Sequence, residues 1–296
     1  MRQAQHAERV PERLSGAARC RLMIASVAGQ AFLPLRVMTY NVHACKGRDG
    51  VISPRRIARV IASAAPDVVA LQELDVGRAR SGKLDQAELI AQELGMRFHF
   101  APAMRVLEEA YGDAILSALP MRLVKAGALP AIRFPVRLEP RGALWTEIRL
   151  EQTHLQMMVT HLGLVRRERR LQADALCGAE WLTHPDCGNP AILAGDFNFL
   201  SRSRAYARIA SRLQDAQRLV SRQPHDATFP ARYPRFRIDY VFVSHGIQVD
   251  RVETVRTPET QIASDHLPLV ADLRIPVRQQ AEHNAPAKHV QALDHV

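Results

Sequence analysis

The sequence predicts a single α/β domain built on two β-sheets, spanning about residues 36–276. Three observations predict it. Residues 190–200 begin as an apolar run of strand length and end in Gly195-Asp196-Phe197-Asn198. That is the pattern of a buried central strand delivering polar side chains at its carboxyl end. An arrangement of strands, helix and strands occurs twice, each half closing on a polar residue. No compositional break separates the halves, and a 296-residue chain that is 47% hydrophobic can bury one large core.

Residues 1–34 read as a disordered extension outside this domain. Arg2, Arg9, Arg13, Arg19 and Arg21 precede a small and apolar stretch at 22–35, in the order of a secretory signal. The stretch is interrupted by Ser26, Gly29, Gln30 and Pro34 and is too short for a membrane span. A signal, a weak anchor and a mis-assigned start are the alternatives. Residues 36–41 alternate and end in Asn41, a first strand. Ser53-Pro54 pairs an N-cap with a first-position proline, and Ile57, Val60 and Ile61 follow at helical spacing.

Pro66-Asp67 breaks that helix, and residues 67–72 form a second buried strand ending at Glu73. Residues 86–94 are a helix stopped by Gly95. Strands are expected at 98–102, 112–117, 121–129, 143–150 and 155–160, mostly without helices between them, hence antiparallel hairpins. A long helix is expected at 166–182, a short one at 203–212, and strands at 237–243, 248–255 and 267–273. Residues 277–296, polar and rich in His, Ala and Gln, read as a disordered tail.

The net charge is +10, and apart from Lys46, Lys83, Lys125 and Lys288 every basic residue is arginine. Such a chain attracts anions: phosphate esters, nucleic acid and anionic lipid surfaces. The arginines form no dense run, so genome base composition is a competing explanation. Cys20, Cys45, Cys177 and Cys187 form no Cys-x-x-Cys pair, which disfavours a zinc site and a disulfide framework. Reduced thiols fit a cytoplasmic protein. A monomer is expected, with peripheral contact to an anionic membrane left open.

The strand ends collect a chemical set: Asn41, Glu73, His161, Asp196, Asn198, Asp239, Asp265 and His266. Each has a plain structural alternative, such as a turn cap, a solvated strand end or half of an ion pair. Together they are harder to explain, because burying a charge costs several kcal/mol, roughly, unless it is paired or metal-bound. Carboxylates and amides without cysteine suit a hard cation such as Mg²⁺ beside a phosphate.

Seven pieces of sequence carry a resemblance. They are Thr39-Tyr40-Asn41, Leu71-Gln72-Glu73, Gly112-Asp113-Ala114-Ile115-Leu116-Ser117, Thr160-His161-Leu162, Gly195-Asp196-Phe197-Asn198, Arg237-Ile238-Asp239-Tyr240 and Ser264-Asp265-His266-Leu267-Pro268. In this order the chain resembles the endonuclease/exonuclease/phosphatase superfamily of metal-dependent phosphodiesterases, in particular small bacterial members. The resemblance implies a DNase I-like four-layer sandwich, with two central mixed β-sheets flanked by helices. Two departures stand out. Asp113 replaces a frequent Asn, and the Arg that often follows the serine of that piece is Ala118, so Asp113 is kept out of the catalytic set. The start Tyr40-Asn41-Val42-His43 is unlike that of abasic-site endonucleases.

The resemblance also implies roles. Glu73 with Asn41 would hold Mg²⁺ or Mn²⁺, and Asp265 would bind a second ion or orient a histidine. Asp196 would orient and deprotonate water, and Asn198 would fix the phosphate. His161 and His266 would donate hydrogen bonds to the phosphoryl oxygens, with Asp239 orienting one of them. Arg78 and Arg80, in the loop after Glu73, would clamp a second phosphate or an anionic headgroup; a solvated loop is the alternative. The expected activity is hydrolysis of a phosphodiester, on a lipid headgroup or another small phosphoester. A nuclease acting on DNA or RNA is the alternative, and a non-catalytic binding module on the same fold is a third reading.

Overall fold

The computed structural model describes residues 25–27, 30–132, 138–151, 153–188, 190–220 and 226–277. Two mixed sheets form its centre. In the first, the strand order is β12 (Gln248–Thr254), β13 (Leu269–Pro276), β2 (Gln30–Asn41), β3 (Val68–Val76), β5 (Glu109–Ser117) and β4 (Arg97–Val106), with β1 (Ala25–Val27) also paired to β2. In the second, the order is β10 (Gln214–Asp215), β11 (Asp239–Val243), β9 (Ala191–Asp196), β8 (Thr153–His161), β7 (Gly142–Leu150) and β6 (Met121–Ala128).

Each sheet has one parallel pair among its described strands, β2 with β3 and β8 with β9; the other pairings are antiparallel. Parallel neighbours need a crossover. These are supplied by α1 (Pro54–Ala64) and α3 (Arg166–Leu176). The consequence for function is direct. Parallel strands end at the same edge, so each sheet brings two carboxyl ends side by side: Asn41 with Glu73, and His161 with Asp196.

The layering follows from two-residue alternation along the strands. Leu33, Leu35, Val37, Val68 and Ala70 face inward against Leu155, Met157, Val159, Ile192 and Ala194 of the other sheet. The alternate residues Met38, Tyr40, Val69 and Leu71 face outward, onto Ile57, Val60 and Ile61 of α1 and Ile90 of α2 (Gln86–Leu94). On the far side, Met158, Leu193, Tyr240 and Phe242 meet Ala173 and Leu176 of α3 and Tyr206 and Ile209 of α4 (Arg204–Ala210). Each fully buried large aliphatic side chain contributes roughly 1.5–3 kcal/mol. The result is the helix–sheet–sheet–helix sandwich expected of the fold. Among the described residues no helix is long and apolar enough to cross a membrane.

Ser53 caps α1, accepting from Arg56 N–H, with Pro54 at the first turn, and Gly95 ends α2 in a left-handed conformation. Of the boundaries that differ from expectation, three are informative. The strand expected from residue 36, β2, begins at Gln30, because residues 32–36 find partners along β13, so part of the expected N-terminal extension belongs to the domain. The expected helix over 166–182 ends at Leu176. Past Cys177 the chain turns at Gly178, and Leu182 N–H donates to Leu176 O, folding Trp181 back onto the core. The apolar periodicity continued through that turn and concealed it. The strand expected at 237–243 starts at Asp239. The expectations for residues 1–24 and 278–296 lie outside the described residues.

Candidate active site

Asn41 joins the two sheets. Its Nδ2 donates to Glu73 Oε1 at 2.8 Å and to Asp196 Oδ2 at 3.0 Å. Its Oδ1 accepts from His43 N–H at 3.1 Å and keeps a second lone pair. Glu73 reaches the cleft because β3 carries a bulge between Leu71 and Leu74, with Glu73 at φ 64°. A glutamate in the left-handed region is strained by about 1–3 kcal/mol. The bulge aims Glu73 at the cleft while the preceding Gln72 stays buried against Thr39.

At the end of β9, Asp196 Oδ1 accepts from Asn198 N–H at 2.9 Å, which holds Asn198 in a tight turn at φ 51°. The Asn198 amide nitrogen lies 3.0 Å from both His161 Nε2 and Leu162 O. Gly195 is dictated by close backbone approach: a Cβ there would stand 1.9 Å from the Thr160 carbonyl oxygen of β8.

On the opposite wall, His266 Nδ1 lies 2.9 Å from Asp239 Oδ2, which also accepts from Thr228 Oγ1. His266 Nε2 faces Asp196 Oδ2 at 3.6 Å, and His161 Nε2 faces the same oxygen at 3.5 Å. Asp196 is thus a buried carboxylate between two imidazoles. Their surroundings push the two imidazoles in opposite directions. Burial alone would push His266 down, but Asp239 and Asp196 outweigh it and raise its pKa to about 10. Burial, with Arg141 and His266 nearby, holds His161 well below the usual histidine value. Burial and the Asp239 charge lift Asp196 to about 7, against the pull of His266 and Asn41.

These groups open on one cleft of about 600 Å³. Of the residues expected from sequence, Glu73, His161, Asp196, Asn198, Asp265, His266 and Arg80 line it, with Asn41 and Asp239 behind them. Asp265 is part-exposed and faces His43 Nδ1 at 3.8 Å. Arg80 and Arg78 are less free than a phosphate clamp requires. Arg80 binds the fully buried Asp75 through two nitrogens at 2.7 Å each, and Arg78 lies between Asp75 and Glu109. Asp113 is buried behind Glu73, its pKa pushed up to about 8 by burial.

The structure adds residues that sequence reading missed. Arg141 is buried with Nη1 2.9 Å from His161 Nδ1; the available signal was a charge abutting an apolar strand. Tyr111 and Glu139 also line the cleft, and no local pattern marked them.

The donor set suits a hard divalent cation. Glu73 engages only Oε1 and leaves Oε2 without a hydrogen bond among the described residues. Asp196, Asp239 and His266 also place ligand atoms within 4.8 Å of one another. However, the Asp239–His266 contact is already a hydrogen-bonded pair, so Glu73 is the better first donor.

Residues 38–266 match the model of the Endonuclease/Exonuclease/phosphatase family. The protein YbhP of Escherichia coli (strain K12) is 26% identical over 257 residues, 81% of this chain and 96% of its own length. Among solved structures, an endonuclease/exonuclease/phosphatase from Beutenbergia cavernae DSM 12333 superposes with a TM-score of 0.64 at 24% identity, covering 82% of this chain and 72% of that one. The mannosyl-6-phosphatase Bt3783 of Bacteroides thetaiotaomicron VPI-5482 superposes at 0.66 with 20% identity, covering 81% and 99%. With the family match spanning most of the chain and its strand-end residues gathered in one cleft, this protein belongs to the endonuclease/exonuclease/phosphatase family.

Proposed function

We propose that the protein is a divalent-metal-dependent phosphodiesterase that hydrolyses a lipid headgroup or another small phosphoester by in-line attack of water. The observation that carries this reading is the geometry around Asp196: His161 Nε2 and His266 Nε2 stand 3.5 Å and 3.6 Å from its Oδ2, with neighbouring charges raising the His266 pKa and burial lowering that of His161. Asp196, raised to about 7, is poised to take a proton from water near neutral pH. His266, oriented through Nδ1 by Asp239, donates from Nε2 to an oxygen that gains charge in the transition state. His161 supplies a second, neutral donor, and Asn198 positions the phosphoryl group. Glu73, with Asn41 fixing it and Asp265 as a further oxygen, would hold Mg²⁺ or Mn²⁺. That ion supplies Lewis-acid polarisation of the phosphoryl oxygen when bound.

The test is hydrolysis of bis-p-nitrophenyl phosphate with Mg²⁺ or Mn²⁺, with and without EDTA, beside Asp196→Ala. Turnover that needs metal and falls by roughly 10²–10⁴-fold in the variant is expected. Wild-type turnover in Asp196→Ala would sink the assignment. DNA, RNA and phospholipids screened in parallel discriminate the nuclease reading, for which affinity should fall linearly with log salt.

A further inference from the structure

The end of the sandwich that carries the cleft also carries exposed apolar side chains. Among the described residues the most exposed large hydrophobics are Leu107 at 90%, Leu164 at 72% and Tyr233 at 62%. Each sits on a different loop at the same end of the sandwich. Leu107 lies in the turn between β4 and β5. Because β5 runs antiparallel to β3, that turn projects past Val76, beyond the end of β3 that carries Glu73. Leu164 follows His161 by three residues and lines the cleft. Tyr233 lies in the turn closed by the Phe229–Phe236 bridge, and the Phe229 ring packs on His266 with centroids 4.8 Å apart. One exposed leucine is ordinary. Three protruding apolar tips on three loops at the end that bears the cleft are what an interaction surface looks like.

Two of these tips carry cations. Arg166 and Arg167 follow Leu164-Val165, and Arg232 and Arg235 flank Tyr233; all four are exposed, and none has an ion-pair partner among the described residues. Arg166 and Arg167 occupy the first turn of α3, where the helix dipole disfavours cations. The third tip is different: Glu108 and Glu109 accompany Arg105, so positive charge is concentrated beside Leu164 and Tyr233.

We propose that this rim docks on an anionic lipid surface, with Leu107, Leu164 and Tyr233 entering the headgroup boundary and the arginines meeting lipid phosphates. Aliphatic tips decide between lipid and nucleic acid. A leucine gains by leaving water for acyl chains, whereas bases offer stacking faces that only aromatic side chains use well. Docking goes beyond the catalytic reading and does not depend on it, since it requires neither metal nor turnover.

The experiment is co-sedimentation of the EDTA-treated protein with phosphatidylcholine vesicles containing increasing phosphatidylglycerol. The comparison is with the double variants Leu107→Asp/Tyr233→Asp and Arg166→Glu/Arg167→Glu. Thermal unfolding of each variant checks that it is folded. Expected is binding that rises with phosphatidylglycerol and falls with salt, with about fivefold weaker partition for each arginine removed and loss of binding in the apolar variant. No binding to anionic vesicles, equal binding to pure phosphatidylcholine, or binding that both folded variants retain would overturn the proposal. So would retention of a single-stranded oligonucleotide, lost in the same variants, by a protein that leaves vesicles free.

Discussion

Arg141 Nη1 lies 2.9 Å from His161 Nδ1, and that contact fixes the histidine's tautomer. A guanidinium only donates, so Nδ1 accepts and the imidazole proton resides on Nε2, the nitrogen that faces Asp196. The Asn198 amide nitrogen donates to Leu162 O and also stands 3.0 Å from Nε2, so with Nε2 protonated two donors face each other, an arrangement that an oxygen accepting from both would relieve.

From this follows a titration experiment. Burial and the Arg141 charge both disfavour an imidazolium at His161. In NMR titration of the ring, His161 should remain neutral at about pH 6, below the usual histidine midpoint. Arg141→Met removes one of the lowering effects, and the midpoint should rise. An unchanged midpoint would mean that the Arg141 charge does not act on the ring.

His266 makes the opposite prediction. Its pKa in the fold, about 10, lies above the unfolded value. Its contribution to stability is therefore full below about pH 6.5 and lost as pH rises through the folded value. Turnover should fall on the alkaline side over the same range. Asp239→Asn removes the largest charge holding the proton and should draw that alkaline limb toward neutrality. Turnover at pH 7 should also drop by roughly 10²–10⁴-fold. A pH–rate profile of wild type and variant checks both, and a limb that stays in place would rule out the pairing as the cause.

Asp113 offers a stability test. Its folded pKa, about 8, is raised by burial above the unfolded carboxylate value, so the fold carries a penalty that accumulates as pH climbs from about 4 and levels off above about 8. Asp113→Asn should be stabilising by an amount on the order of a few kcal/mol above pH 8, and neutral near pH 4. Urea unfolding across that range measures it; a gain independent of pH would contradict a buried charge as its origin.

Gly195→Ala should be among the most damaging single-methyl changes in the chain. The added carbon would meet the Thr160 carbonyl oxygen at 1.9 Å, so β8 and β9 must separate where they present His161 and Asp196. Destabilisation of several kcal/mol, roughly, is expected, with turnover lost even in the fraction that stays folded. Normal turnover in folded protein would show that the two strand ends tolerate the shift.

The strand-end residues Asn41, Glu73, His161, Asp196 and Asn198 were legible because each terminates an apolar run, a pattern local to a few residues. The alternation that sorts Met38 from Val37, or Leu193 from Ile192, was equally local, and it fixes the four layers. Arg141, Tyr111 and Glu139 were not legible, since their place at the cleft arises from how separate strands and loops meet. The bulge at Glu73 was invisible for a related reason: a register shift is a property of two strands together. Arg78 and Arg80 show the limit of a positional argument. Their position after Glu73 suggested an anion clamp, but Asp75, one of the residues that sequence reading passed over, occupies both.

The bridging amide of Asn41 has a consequence for how activity is lost. Glu73 and His266 are carried by the first sheet and its loops, Asp196 and Asp239 by the second. Neither sheet alone holds a working set, so no partly melted form with one sheet intact can retain residual turnover. Inactivation by heat or denaturant should therefore report separation of the halves as a single event, making enzymatic assay a sensitive gauge of whether the sandwich is closed.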